Sequence, residues 1–194
     1  MCMRPRNALR HRVLGLIVSL WLGAAAGSTA FAIEVGDHAP DFTLSDLGGM
    51  YHTLSGYSSH PVLLMFLECD GATSISTAPL VQNDFFYPYV SRGLFVLGLD
   101  TAGCDSEALT QFQYQTSVDF PLLSNAGSTA SAYGLVAPSF VILDGGGTVR
   151  YVGRGPGTGG YDPSTMRGVV EQCLREANNT KTATWGLIKS LYSG

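Results

Sequence analysis

Pro61-Val-Leu-Leu-Met-Phe-Leu67, followed at once by Glu68-Cys69-Asp70-Gly71, is the stretch that decides the fold. The apolar run is continuous rather than alternating, and too short for a helix. It suits a strand buried on both faces. A polar, small-residue stretch, Glu68 to Thr77, comes next, and then a helical segment to about Tyr89 with Leu80, Val81, Phe85 and Phe86 as its apolar positions. Leu94-Phe-Val-Leu-Gly-Leu99 reads as a second buried strand. Asp105 reads as the N-cap of a helix reaching about Thr116, with Glu107 favourably placed in its first turn. Phe120 to Leu123 is a short extended piece and Ser128 to Tyr133 a short helix. Ser139 to Leu143 is a third strand, which Asp144-Gly-Gly-Gly147 turns into a fourth, Thr148 to Val152. Asp162 caps a last helix with Pro163 at its first position. Met166, Val169, Val170, Cys173, Leu174 and Ala177 fall on one face of it. Upstream, residues 36–44 make an entry loop and a short strand. Leu47 to Met50 turns, and Tyr51 to Leu54 returns as a hairpin. This order predicts an α/β layer fold, a central sheet flanked by helices with an N-terminal β-hairpin.

The chain has 194 residues, a prior of about one domain. Its 45% hydrophobic and 13% charged residues exclude a disordered protein, and a single long apolar stretch excludes a multi-span membrane protein. The net charge is −4, yet Arg4, Arg6, Arg10 and Arg12 crowd the first dozen positions, so the remainder is strongly acidic. It shows no nucleic-acid footprint. Those arginines precede an apolar run, Val13 to Ala26, and then Ala30-Phe31-Ala32, an A-x-A cleavage pattern. Residues 1–32 are therefore read as a signal peptide, against the alternative of an uncleaved anchor. Cleavage leaves no stable membrane anchor and implies a periplasmic or otherwise cell-envelope or extracellular location. Residues 33–177 form the domain and 178–194 a tail. The tail opens with Asn178-Asn179-Thr180, read as a polar loop, and continues into Trp185 to Tyr192, which either docks as a short amphipathic helix or frays. Three cysteines remain after cleavage: Cys69, Cys104 and Cys173. In an oxidising compartment an odd number leaves one over. Cys173 lies on the apolar helix face and reads as a packed free thiol.

Several segments together resemble the thioredoxin superfamily, and within it the exported redoxin branch. That branch holds the peroxiredoxin-type thiol-specific antioxidant proteins and their membrane-associated thiol–disulfide relatives. The segments are Val35-Gly36-Asp37-x-Ala39-Pro40-Asp41-Phe42-x-Leu44, the strand Pro61 to Phe66, Phe120-Pro-Leu-Leu123, Ala132-Tyr133-Gly134, and Ala137-Pro138-Ser139-Phe-Val-Ile-Leu143-Asp144-Gly145. The resemblance implies a three-layer thioredoxin-like fold with a mixed sheet, and Pro138 as a cis-proline beside the active site. It implies a reducing thiol protein or a disulfide-bearing protein as partner, peroxide as a small substrate, and no cofactor. The active-site motif departs from the pattern. Counting back from Pro79, Gly71-Ala72-Thr73-Ser74 stands where C-x-x-C belongs, and Cys69 lies two residues earlier. The peroxiredoxin P-x-x-x-T-x-x-C pattern is also absent.

Cys69 follows one buried strand and Cys104 the next, each just ahead of a helix start, where ligands bind in open α/β sheets. If the strands are neighbours, the two cysteines come within disulfide reach. In a catalytic reading Cys69 attacks a peroxide or a disulfide and Cys104 resolves the product. Glu68 accepts a proton, Thr73 and Ser74 donate to the substrate, and Pro138 lines it. In a structural reading the same bond closes a long loop, stabilises by about 3–4 kcal/mol, and the domain acts as a binding module. Glu68 and Asp70 flank Cys69 and disfavour a thiolate. Arg150 or Arg154 would have to reach in from across the fold. Gly155 to Gly160 satisfies G-x-G-x-x-G but lacks the following strand and acidic residue of a dinucleotide site, so it reads as a surface loop. Copper carriers of this architecture use two cysteines and a histidine. Here His38, His52 and His60 lack ligand spacing and Cys69 has no near cysteine in sequence, so no metal site is assigned.

Overall fold

A computed structural model describes residues 32–154 and 160–192, with side chains up to residue 180. The first 31 residues of the expected signal peptide, and residues 155–159 of the glycine-rich loop, lie outside the described residues. Two short strands, β1 (Thr43–Ser45) and β2 (Tyr51–Thr53), pair antiparallel as the N-terminal hairpin. The main sheet contains β3 (Val62–Leu67), β4 (Phe95–Asp100), β5 (Leu122–Leu123), β6 (Ser139–Leu143) and β7 (Val149–Gly153), in the order β5-β4-β3-β6-β7. β4 is parallel to both β3 and β5, whereas β6 is antiparallel to both β3 and β7. The sheet is thus mixed, and β3, buried at all six positions, is its centre.

Side chains alternate across β3 and divide the core in two. Leu63, Met65 and Leu67 face α1 (Ala72–Val81), α3 (Ser106–Thr116) and α5 (Pro163–Tyr192), packing with Val81, Phe112, Met166 and Leu174. Val62, Leu64 and Phe66 face α4 (Gly127–Tyr133) and the N-terminal segment, packing with Phe42, Leu54, Ala130 and Tyr133. Tyr133 is fully buried, and its hydroxyl donates to the Pro40 carbonyl at 2.8 Å, tying the entry loop to α4. The layers are helix, sheet, helix, as the resemblance implied.

Three local readings are corrected. The helix after residue 72 does not run unbroken to Tyr89. α1 carries Pro79 inside it, passes into a π turn (Gln82–Phe86), and ends in the short helix α2 (Tyr87–Tyr89). Gln82 takes an inward place there, bonded to Ser117 O and to both the backbone and the side chain of Asp119. The extra residue of the π turn brings Phe85 into the core while Leu80 stays 45% exposed. β7 starts and ends one residue later than expected. Asn178-Asn179-Thr180 is not a loop: α5 runs through it without a break, and the Thr180 hydroxyl donates to Glu176 O. At the other end of α5, Asp162 is the cap that the sequence announces. Hydrogen bonds from the hydroxyls and amides of Ser164 and Thr165 hold its carboxyl down at about 2.

Candidate active site

The register of the two central strands explains why the cysteines meet. β3 and β4 are parallel, and their last residues, Leu67 and Asp100, are directly paired. Cys69 lies two residues beyond one end and Cys104 four beyond the other. The chain therefore brings both to the carboxyl edge of the sheet. They form a disulfide with a Cα–Cα distance of 6.5 Å across a sequence separation of 35. β6 starts at the same edge: Ser139 pairs with Phe66, so the cis peptide bond Ala137–Pro138 lies at this end of the sheet.

Each loop is held by backbone hydrogen bonds. The Thr101 amide and hydroxyl both donate to Leu67 O, at 2.9 and 3.1 Å. The Asp100 carboxylate accepts the Cys104 amide at 2.7 Å and the Ala102 amide at 3.2 Å, folding residues 101–104 over itself, with Gly103 at φ 72 in the tight part of the turn. Asp105 caps α3 by accepting the Ala108 amide. On the other loop the Glu68 amide donates to the Ser74 hydroxyl, and the Gly71 amide donates to Glu68 O. A Cβ at Gly71 would lie 3.1 Å from Glu68 Cβ and 3.2 Å from its carbonyl oxygen. A cysteine at that place needs Glu68 to give by a few tenths of an ångström.

Asp100 is the residue that sequence reasoning missed. It is fully buried, and one carboxylate oxygen lies, together with both sulfurs, in a group whose members are all within 4.8 Å of one another. Burial raises its pKa from the ordinary aspartate value, opposed by the amides of Cys104, Ala102 and Gly103 and reinforced by the nearby Asp70 charge. None of the five described arginines neutralises it. Arg92 and Arg175 pair with Glu171, Arg150 with Asp144 and Glu176, Arg167 with Asp84, and Arg154 donates to Ile33 O. Arg150 and Arg154, which would have to reach in from across the fold to serve the sulfurs, are thus held by other partners.

Residues 35–152 match the model of the AhpC/TSA family. The chain belongs to that family. It is 26% identical over 129 residues to chloroplastic peroxiredoxin Q of Oryza sativa subsp. japonica, covering 62% of this chain but only 58% of that relative. It is 28% identical over 150 residues to the thiol-disulfide oxidoreductase ResA of Geobacillus thermodenitrificans, covering 72% of this chain and 85% of ResA. A thiol:disulfide interchange protein of Chlorobium tepidum superposes with a TM-score of 0.60 at 16% identity, covering 74% of this chain and 99% of that one. A secreted Mycobacterium tuberculosis disulfide oxidoreductase homologous to E. coli DsbE superposes with a TM-score of 0.56 at 20% identity, covering 68% and 95%. These likenesses establish the shared thioredoxin-like fold.

Within this AhpC/TSA fold the expected site residues fall unevenly. Cys69 is 9% exposed and Cys104 half-buried. Glu68 is exposed beside the disulfide and Thr73 is half-buried in the first turn of α1. Ser74 is 1% exposed, its hydroxyl already accepting the Glu68 amide. Pro138 is half-buried, and Val136, two residues ahead of it, is 79% exposed. The described histidines are engaged elsewhere. His52 bridges Asp46 and Tyr57, His60 bonds Gly93 O, and His38 bonds Ala39 O. Cys173 is the free buried thiol, pushed up to about 11 by burial.

Proposed function

We propose that the protein is an exported thiol–disulfide oxidoreductase that exchanges disulfides through Cys69 and Cys104. The observation that carries this reading is the disulfide itself, placed at the carboxyl edge of the sheet against a buried carboxylate. The names of the ResA and DsbE-like relatives support the same reaction class. In the reduced form one cysteine attacks a partner's disulfide as thiolate and forms a mixed disulfide. The second cysteine then attacks the first sulfur, and the partner leaves as a dithiol. Asp100 is placed to take the proton of the second thiol, because its own burial favours the neutral acid. Regeneration requires a reducing thiol protein.

Exposure argues for a division of labour other than the one read from the sequence. A protein partner meets half-buried Cys104 first, whereas Cys69 is nearly covered. Cys104 is then the sulfur that forms the mixed disulfide and Cys69 the one that resolves it. Glu68, Thr73 and Pro138 border the approach. Peroxide reduction, the activity named for the peroxiredoxin Q relatives, is the second reading. The absence of a described cation at the sulfurs weighs against it. The N-terminal arginines, apolar run and A-x-A pattern support export, as does the secreted M. tuberculosis neighbour.

Single-cysteine trapping tests the roles. Cys69→Ser, mixed with a disulfide-bearing model protein, accumulates a mixed disulfide through Cys104, resolved on non-reducing gels and mapped by mass spectrometry. Accumulation in Cys104→Ser instead reverses the roles. Accumulation in neither variant removes the exchange reading. Peroxide-dependent thiol oxidation without trapping moves the function to the second reading.

A further inference from the structure

We propose that reduction of the Cys69–Cys104 disulfide creates a binding site for one borderline-soft divalent cation of the Zn²⁺ type, held by the two thiolates and the Asp100 carboxylate. The inference rests on the reading above in one respect: the disulfide must open in the folded protein.

The geometry is already close to what an ion needs. One ligand atom from each residue lies within 4.8 Å of the others while the sulfurs are still bonded. Zinc bonds of about 2.3 Å to sulfur and about 2.0–2.2 Å to oxygen place neighbouring ligands of a tetrahedral site roughly 3.5–4 Å apart. Breaking the S–S bond lets the sulfurs separate toward that spacing without bringing a new element to the site. The third ligand is fixed in advance. Asp100 is fully buried, and the Cys104 and Ala102 amides each occupy one position on its oxygens, orienting the carboxylate. Such outer bonds are what hold metal ligands in register. Half-buried Cys104 leaves an approach from solvent, and a water fills the fourth position.

Electrostatics points the same way. Once their protons are displaced, the two thiolates and the carboxylate bring three negative charges to one sheet edge, with Glu68, Asp70 and Asp105 in the adjoining loops. Every described arginine is engaged elsewhere. Surroundings that oppose a free thiolate favour one whose charge a cation shares. Thiolate sulfur selects zinc-like ions over magnesium or calcium. The steps balance. A dithiol reductant gives two electrons and two protons to the disulfide and becomes a disulfide itself. The entering cation then displaces the two thiol protons, and the carboxyl proton where Asp100 carries one.

The experiment uses the full chain, oxidised or reduced with dithiothreitol and freed of it without oxygen, with thiols counted before each titration. Zn²⁺ is titrated against a chromophoric chelator, Cd²⁺ by its thiolate charge-transfer absorption, and Mg²⁺ serves as the hard-ion control. The reduced chain is expected to take up one equivalent of Zn²⁺ and to develop the cadmium band, and the oxidised chain to do neither. Asp100→Asn weakens Zn²⁺ binding by at least about tenfold, and Cys104→Ser loses the cadmium band. Two additional thiols with no more Zn²⁺ bound than in the oxidised chain overturn the metal site alone. So does an Asp100→Asn variant that folds and binds like the wild type. Failure of the two thiols to appear while the chain stays folded overturns both the metal site and the exchange reading. If Asp100→Asn does not fold, the comparison of reduced and oxidised wild type decides.

Discussion

Replacing Cys69 and Cys104 together by alanine is expected to lower the stability of the folded chain by about 4 kcal/mol relative to the oxidised protein. The disulfide closes a separation of 35 residues, which contains α1, α2 and the whole of β4. In the unfolded chain this link removes conformations that the variant regains, and the chain-entropy relation gives about 4 kcal/mol for a loop of that size. The native state gives little back. Asp100 remains buried, and its bonds to the Cys104 and Ala102 amides involve only the main chain of those residues. Urea unfolding of the oxidised wild type and the double variant measures the difference, and the melting temperature should drop by about 10 °C. A loss under about 1 kcal/mol would mean that the loop is already constrained in the unfolded chain. Reduced wild type should behave like the variant, which separates loss of the link from loss of the side chains.

The second large effect concerns rate. Glu68→Gln and Asp70→Asn, alone and together, are expected to speed disulfide exchange at neutral pH. Both carboxylates flank Cys69, and Asp70 is close enough to act on Asp100 through space. Negative charge there opposes a thiolate on either cysteine. Removing charge that lowers a thiol pKa by one unit raises the thiolate fraction tenfold, while intrinsic nucleophilicity falls by about half a log unit. The net gain is about threefold per unit. The sign is open to test by the pH profile. In the variants the rate reaches its plateau at lower pH than in the wild type. An unchanged profile would show that neither charge acts on the reacting sulfur, and a slower reaction in Glu68→Gln would show that Glu68 serves as a proton acceptor, a role considered for it in the sequence.

Much of this site is legible in the sequence because it follows from strand ends. The apolar runs at 62–67 and 94–99 are unmistakable, and parallel neighbours necessarily deliver whatever follows them to the same edge. Asp105 and Asp162 announce their helices because a side-chain acceptor ahead of a helix start has one local use. What the sequence hides is set by tertiary context. Asp100 looks like the first polar residue of a loop. Only the fold shows that the turn at Ala102 and Cys104 wraps back over it and seals it from water. The available signal is an aspartate closing an apolar strand, followed by a glycine and a cysteine within four residues. The π turn is equally hidden, since Gln82 reads as a surface residue until the 117–119 segment is seen to supply partners for its amide. The Asn178-Asn179-Thr180 stretch reads as a loop because propensity there is weak, whereas the helix is carried through it from the packed face upstream.

Whether the Cys69–Cys104 pair at the sheet edge is redox-active is read from its reduction potential. The full-length folded chain is equilibrated across a series of thiol–disulfide buffers, trapped by alkylation and counted by mass spectrometry, with circular dichroism recorded at each point. Cys69 and Cys104 are expected to open together as a two-electron couple at a potential above about −300 mV, near the reducing end of the thioredoxin range, with the fold intact. A bond that stays closed at every poise until the chain unfolds contradicts that expectation.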